Sequence, residues 1–237
     1  VHAVIMAGGR GSRLAPYTTV LPKPLMPLDD RPILAVVLEQ LVNAGVTGVT
    51  ISVGHLAGLI ESWVQHQSHV DIPIGFVYED EPLGTAGALA NVELPGGTFL
   101  AMNGDILTTL DFAALARHHD ASGGLATMAT NVRTIDVQYG VVHTDDAGNI
   151  ARLEEKPRLS YTVSMGVYAM SPELVSLIAP GERIDFPDLL LRAIGAEHDI
   201  ATFAFDGYWR DIGNREDYEQ AIADFAAEPA RYLGPQG

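Results

Sequence analysis

Residues 7–26 read AGGRGSRLAPYTTVLPKPLM and follow directly on the apolar run AVIM (3–6). A short strand running straight into Gly8, Gly9 and Gly11 predicts a loop at the carboxyl edge of an open parallel sheet, where such sheets bind their ligands. Glycines let backbone amides approach a ligand with no Cβ in the way, and consecutive amides form an anion-binding nest. Arg13 and Lys23 add positive charge and make the loop a phosphate cradle. Two better-known phosphate loops do not fit. The dinucleotide fingerprint, begun at Gly9, requires glycine where Leu14 stands, and no Gly-Lys-Ser/Thr follows to complete a Walker loop.

Outward from this loop, short apolar runs alternate with helical patterns. AVIM precedes PILAVVLEQLVNAG (32–45), VTISVG (49–54) precedes HLAGLIESWVQHQ (55–67), IGFVY (74–78) precedes TAGALANV (85–92), and TFLAMNGD (98–105) precedes DFAALARHHD (111–120). The alternation predicts βαβ units, hence an α/β, Rossmann-like, mostly parallel sheet with helices on both faces. After about Gly124 the pattern turns β-rich, with LATMATNV (125–132), YGVVHT (139–144), NIARLEEK (149–156) and SMGVYAM (164–170). These segments predict an antiparallel β extension fused to the same sheet. Helices return in PELVSLI (172–178) and FPDLLLRAIG (186–195), and NREDYEQAIADFAAE (214–228) closes the pattern with Asn214 as its N-cap. Asp111, before FAALARHH, also reads as a cap. No linker or long-period repeat interrupts the chain, so residues 1–237 are expected to form one domain with halves at about 1–123 and 124–225.

Composition narrows the function classes. With 14 Lys+Arg against 30 Asp+Glu the formal net charge is −16, which disfavours nucleic acid and anionic membrane surfaces as partners. Only two basic residues are lysines, Lys23 and Lys156, and each precedes a proline. Cysteine is absent, so no disulfide or thiolate metal site is available, and a reducing cytoplasm is the expected location. The apolar N-terminus VHAVIMAGG is too short for a membrane span or signal peptide. His118 and His119, adjacent on a helix and without matching ligands nearby, are expected at the surface. Tyr17, Tyr208 and Trp209 are expected mainly in packing, with Trp209 the one candidate to line a site.

GGRGSRLAPYTTVLPKPLMPL resembles the G-G-x-G-x-R-L…P-K-P signature of the sugar-1-phosphate nucleotidylyltransferases, or NDP-sugar pyrophosphorylases. LGTAGAL from Leu83, NGD from Asn103, YGVV from Tyr139, EEKP from Glu154, SMGVY from Ser164 and WRDIG from Trp209 follow in the family's order. The likeness covers residues 1 to about 225. It implies transfer of a nucleotidyl group from a nucleoside triphosphate to a sugar 1-phosphate, with release of pyrophosphate. The attacking oxygen already belongs to an anionic phosphate, so catalysis reduces to alignment and charge neutralisation at the α-phosphorus.

By this resemblance Ala7, Gly8, Gly9, Arg10, Gly11, Ser12 and Arg13 wrap the triphosphate. Arg13 and Lys23 neutralise the departing phosphates, and Gly84 and Thr85 join the nucleotide site. Asn103, Gly140, Glu155 and Gly166 receive the sugar, and Lys156 holds its phosphate. Asp105 and Asp211, at the ends of apolar strands, suit a Mg²⁺ that bridges both substrates. Glu79 stands where the family places its base-reading side chain. A carboxylate there accepts from guanine N1–H and N2–H₂ together, which favours GTP. The PLGTAGAL and PKPLMPL variants look most like guanylyltransferases for mannose or heptose phosphates. Thymidylyl, uridylyl, adenylyl or cytidylyl transfer to glucose 1-phosphate or a cyclitol phosphate remains open, as does a non-catalytic nucleotide-binding module. A homo-oligomer is compatible with the sequence, and no C-terminal hexapeptide-repeat β-helix is expected.

Overall fold

The computed structural model describes residues 1–67 and 69–233; residues 68 and 234–237 of the expected single domain lie outside the described residues. The elements in chain order are β1 His2–Ala7, β2 Pro27–Leu28, β3 Arg31–Pro32, α1 Ile33–Asn43, β4 Gly48–Val53, α2 Ala57–Gln67, β5 Ile74–Tyr78, β6 Phe99–Asn103, β7 Ile106–Thr108 and α3 Phe112–Ser122. They continue with β8 Ala126–Asp136, β9 Val141–Thr144, β10 Ile150–Glu154, β11 Arg158–Met170, α4 Phe186–Gly195, β12 Ile200–Ala204, β13 Trp209–Asp211, α5 Arg215–Ala227 and α6 Pro229–Leu233.

Seven strands form one sheet in the order β12-β8-β11-β6-β1-β4-β5. Every neighbouring pair is parallel except those made by β11, which runs antiparallel to both β6 and β8. The β-rich second half therefore enters the parallel sheet itself through β8, β11 and β12. From β1 the chain moves outward to β4 and β5, then returns to place β6 on the other side of β1. The carboxyl ends of β1 and β6 thus bound a topological switch point, the crevice where open α/β sheets bind ligands.

Strand alternation loads both faces of the sheet. Ala3, Ile5 and Ala7 of β1 join one core with α1, α3 and α5, whereas Val4 joins a second core with Phe99, Ala101 and α4. A sheet buried on both faces needs such nearly continuous apolar strands. Ile5 and Phe99 have no exposed surface, and complete burial of such a side chain contributes about 1.5–3 kcal/mol. Asp111 caps α3 by accepting from Ala114 N at 2.8 Å, and Asn214 caps α5 by accepting from Asp217 N at 3.0 Å, as the sequence predicts.

Three expectations need correction. TAGALANV and PELVSLI form 3₁₀ segments, Gly87–Asn91 and Pro172–Leu177, in place of α-helices. Both are short pieces of the kind 3₁₀ geometry serves, and both pack across the second core. His119 is 2% exposed, because it lies seven residues after Phe112 on the same inward stripe of α3. Its ring stands 3.1 Å from both Thr127 Oγ1 and Ser171 Oγ. His118 does lie outside, with its ring edge-on to Phe203.

The outer halves of β8 and β11 pair from Asn131 with Val163 to Asp136 with Arg158, and with the antiparallel β9–β10 hairpin they make an exposed arm. Among the described residues no helix is long and apolar enough to cross a membrane.

Candidate active site

A cavity of about 400 Å³ opens at the switch point. Its first wall is the loop after β1: Ala7, Gly8, Gly9, Arg10, Gly11 and Arg13, with Lys23 beside them. Thr18 Oγ1 donates to Gly11 O at 2.8 Å and ties the loop back on itself. Ser12 begins a short 3₁₀ turn and does not line the cavity.

The second wall follows β5. Glu79 accepts from Ser52 Oγ at 2.6 Å through Oε1 and from Leu83 N at 3.0 Å through Oε2. Its carboxylate lies over Gly8, where an added Cβ would stand 2.3 Å from Oε1, so glycine at this position is what lets the two walls meet. Gly84 and Thr85 continue this wall. Two bonds lock the turn to the segment before α4: Thr85 N donates to Asp185 Oδ1 at 2.7 Å, and Ile184 N donates to Leu83 O at 3.0 Å.

Asp105 and Asp211 complete the cavity with Asn103. β13 pairs antiparallel with β7, and Ile212 N donates to Asp105 O at 3.0 Å, which sets the two aspartates side by side across 106 residues of sequence. Lys23 makes an ion pair with Asp105 Oδ2, while Oδ1 is buried with no partner among the described residues. Asp211 stays open to solvent across the cleft, yet the surrounding protein and the Asp105 charge push its carboxyl above the usual range, against the pull of Lys23 and Arg13. Two converging carboxylates, one with an orphaned oxygen, fit a small divalent cation whose other ligands are phosphate and water. No third His, Cys, Asp or Glu completes an all-protein metal cluster among the described residues.

A second cavity of about 360 Å³ shares Thr85, Asn103 and Asp211 with the first. Gly166 and Trp209 line it. Gly166 has φ 69°, and a Cβ there would meet Asn103 Nδ2 at 2.6 Å. Trp209 Nε1 donates to Met165 O at 3.0 Å, and the Arg133 guanidinium covers its ring at 4.6 Å. Gly140, Glu155 and Lys156 are exposed on the arm and line neither cavity. Gly140 and Glu155 are neighbours there: a Cβ at Gly140 would lie 3.2 Å from Glu155 Oε2.

Arg183 lines the first cavity and was not expected there. Nothing in GERIDF marks it locally. Only the pairing of Ile184 with Leu83, a hundred residues away, brings it to the cleft.

The sequence pattern of the nucleotidyl transferase family matches residues 2–228, and the chain belongs to that family. Over 94% of its length the chain is 32% identical to the UTP–glucose-1-phosphate uridylyltransferase of Synechocystis. Over 92% it is 32% identical to the mannose-1-phosphate guanyltransferase of Saccharomyces cerevisiae. It spans 62% and 63% of the length of these two relatives. The crystal structure of HddC from Yersinia pseudotuberculosis complexed with GMP-PN superposes with a TM-score of 0.73 and 26% identity, covering 94% of this chain and 99% of that one. The relatives' names carry different nucleotides, so family membership alone fixes no base.

Proposed function

We propose that the protein is a sugar-1-phosphate guanylyltransferase that joins GTP to a hexose or heptose 1-phosphate, with mannose 1-phosphate the first candidate. The observation that carries this reading is Glu79, an acceptor carboxylate held by Ser52 and Leu83 N on the wall facing the glycine loop. Each of its oxygens keeps a lone pair for the N1–H and N2–H₂ donors of guanine; uracil and thymine offer one donor on that edge.

In this reading a phosphate oxygen of the sugar 1-phosphate attacks the α-phosphorus of GTP. The bond from that phosphorus to the bridging oxygen breaks, and pyrophosphate leaves with the electron pair. No side chain has to remove a proton, because the nucleophile is already an anion. The amides of residues 8–11 and the charges of Arg10, Arg13 and Lys23 hold the triphosphate in line. Asp105 and Asp211 would hold Mg²⁺, which supplies charge neutralisation at the phosphates. Asn103, Gly166 and Trp209 shape the second cavity for the sugar. The exposed arm carries Glu155 and Lys156 toward the sugar phosphate by bending over that cavity.

Pyrophosphate release, measured for five nucleoside triphosphates crossed with several sugar 1-phosphates, tests the reading. Release that requires GTP, a sugar 1-phosphate and Mg²⁺ together supports it. Preference for another triphosphate removes the guanylyl assignment, and no release with any pair removes the transferase reading in favour of a non-catalytic module.

A further inference from the structure

Two of the 14 basic residues are lysines, and the other twelve are arginines. Nine arginines are held by hydrogen bonds or ion pairs within the protein. Among the described residues the three with neither are Arg10, Arg13 and Arg183, and all three line the same cavity. Arg10 and Arg13 belong to the glycine loop. Arg183 comes from the segment packed on Gly84 and Thr85: a Cβ at Gly84 would stand 2.5 Å from Ile184 O, and Thr85 N donates to Asp185 Oδ1.

Local acids do not claim it. Glu182 accepts from Arg192 Nη2 at 2.5 Å, from Arg192 Nη1 at 2.9 Å and from Ala179 N at 2.9 Å. Asp185 accepts from Thr85 N. Arg183 is thus an uncommitted guanidinium between two committed carboxylates, in a protein whose net charge is −16. Its backbone is anchored at both neighbours, by Glu182 and by the bond from Ile184 N to Leu83 O. Leu83 N in turn donates to Glu79 Oε2. The N–H and the C=O of Leu83, one bound to the Glu79 carboxylate and the other to Ile184 N, therefore couple the placement of Arg183 to that of Glu79.

We infer that Arg183 is a second base-reading residue, donating its fork to O6 and N7 of guanine while Glu79 accepts from the N1 and N2 edge. This rests on the guanylyl reading of the cleft. The chemistry follows from the purine: guanine alone presents two adjacent acceptors, O6 and N7, to a bidentate guanidinium, whereas adenine places an amino donor beside N7. Arg10 and Arg13 of the glycine loop already offer the proposed phosphates two guanidinium groups in this cavity.

The test is a cycle between protein and ligand. Affinities of the wild type, Arg183→Ala and Arg183→Lys for a non-hydrolysable GTP analogue and its 7-deaza form, which lacks the N7 acceptor, are measured by calorimetry; steady-state constants are measured for GTP, ATP and the sugar phosphate. Arg183 is exposed, and matching melting curves establish that the variants fold. The expected result is a loss of about tenfold in GTP-analogue affinity for Arg183→Ala, with the 7-deaza penalty of the wild type abolished and the GTP-over-ATP preference narrowed. Lysine should restore little of it, having no planar fork. The KM for sugar 1-phosphate should stay within about twofold. An equal 7-deaza penalty in wild type and Arg183→Ala, or a defect confined to the sugar phosphate, overturns the inference while leaving GTP use intact. A wild type that prefers UTP or dTTP overturns the guanylyl reading, and the inference with it.

Discussion

Lys23 gives its ammonium to Oδ2 of Asp105 inside the cavity, while Oδ1 of the same carboxylate is buried without a partner among the described residues. The side chains are 10% and 24% exposed, so neither charge is freely hydrated. The protein alone thus satisfies half of this carboxylate, with a lysine that the proposed reaction would use on the phosphates. In the proposed reaction Asp105 would hold Mg²⁺, and Lys23 would then be free for the phosphates.

Removing Lys23 should therefore act twice. Lys23→Ala should cut kcat/KM for the triphosphate by roughly two to three orders of magnitude, the scale for a preorganised electrostatic contact. It should also destabilise the empty protein by about 1–3 kcal/mol, because Asp105 is left unpaired. Adding Asp105→Asn should recover part of the stability and none of the activity; denaturant melts of the two single variants and the double variant measure the coupling.

Asp211 should show the opposite balance between folding and function. Its carboxyl is pushed up by the surrounding protein and by Asp105, so any stability linked to its proton is lost as pH rises through its folded value, and at neutral pH its charge opposes folding. Asp211→Asn should raise the melting temperature of the metal-free protein while lowering Mg²⁺-dependent turnover by roughly two to three orders of magnitude. A lowered melting temperature, or full activity in chelator, contradicts this account of the pair.

Acid should weaken the fold in two windows. Burial between Thr127 and Ser171 pulls the His119 imidazole below its ordinary 6.5, so the unfolded chain binds the proton first and stability falls as pH drops below about 6.5. Arg192 holds the Glu182 carboxyl at about 2 instead of 4.5, so the support this pair gives the segment before α4 is lost between those values. Urea midpoints from pH 8 to pH 3 should show the first decline, and His119→Gln should flatten it.

Lys156→Ala tests the arm. Lys156 has φ 46° and lines neither cavity, so an effect requires the arm to bend. A KM for sugar 1-phosphate raised about tenfold or more, with the triphosphate KM nearly unchanged, supports that motion; wild-type constants contradict it.

The glycine loop, the strand-helix alternation and the two helix caps were legible because each depends on neighbours within a few residues. Asp105 and Asp211 were legible only through their motifs, since the β7–β13 ladder that joins them spans the second half of the chain. Histidine as a residue type points to the surface, but Phe112, Leu115, Ala116 and His119 share one inward helical stripe, and that position decides the burial of His119. Arg183 left no local trace, because its entry to the cleft depends on Ile184 meeting Leu83. The arm residues show the converse, a motif that is legible while the structure holds it away from the cavities.

Glu79→Gln should narrow the preference for GTP over UTP by about tenfold, since an amide offers one acceptor oxygen where the carboxylate offers two. The ratio of kcat/KM values for the two triphosphates measures this, and an unchanged ratio removes Glu79 as the reader.

The most direct measurement presents the protein with an equimolar mixture of GTP, ATP, UTP, CTP and dTTP, together with Mg²⁺ and mannose 1-phosphate, and identifies the nucleotide sugars by mass spectrometry. A guanylyl specificity built on Glu79 and the glycine loop predicts GDP-mannose as the dominant product, formed in step with pyrophosphate and absent from an Asp105→Asn control. Dominance of a uridylyl or thymidylyl sugar, or the absence of any nucleotide sugar here and with heptose 1-phosphate or glucose 1-phosphate in its place, would contradict it.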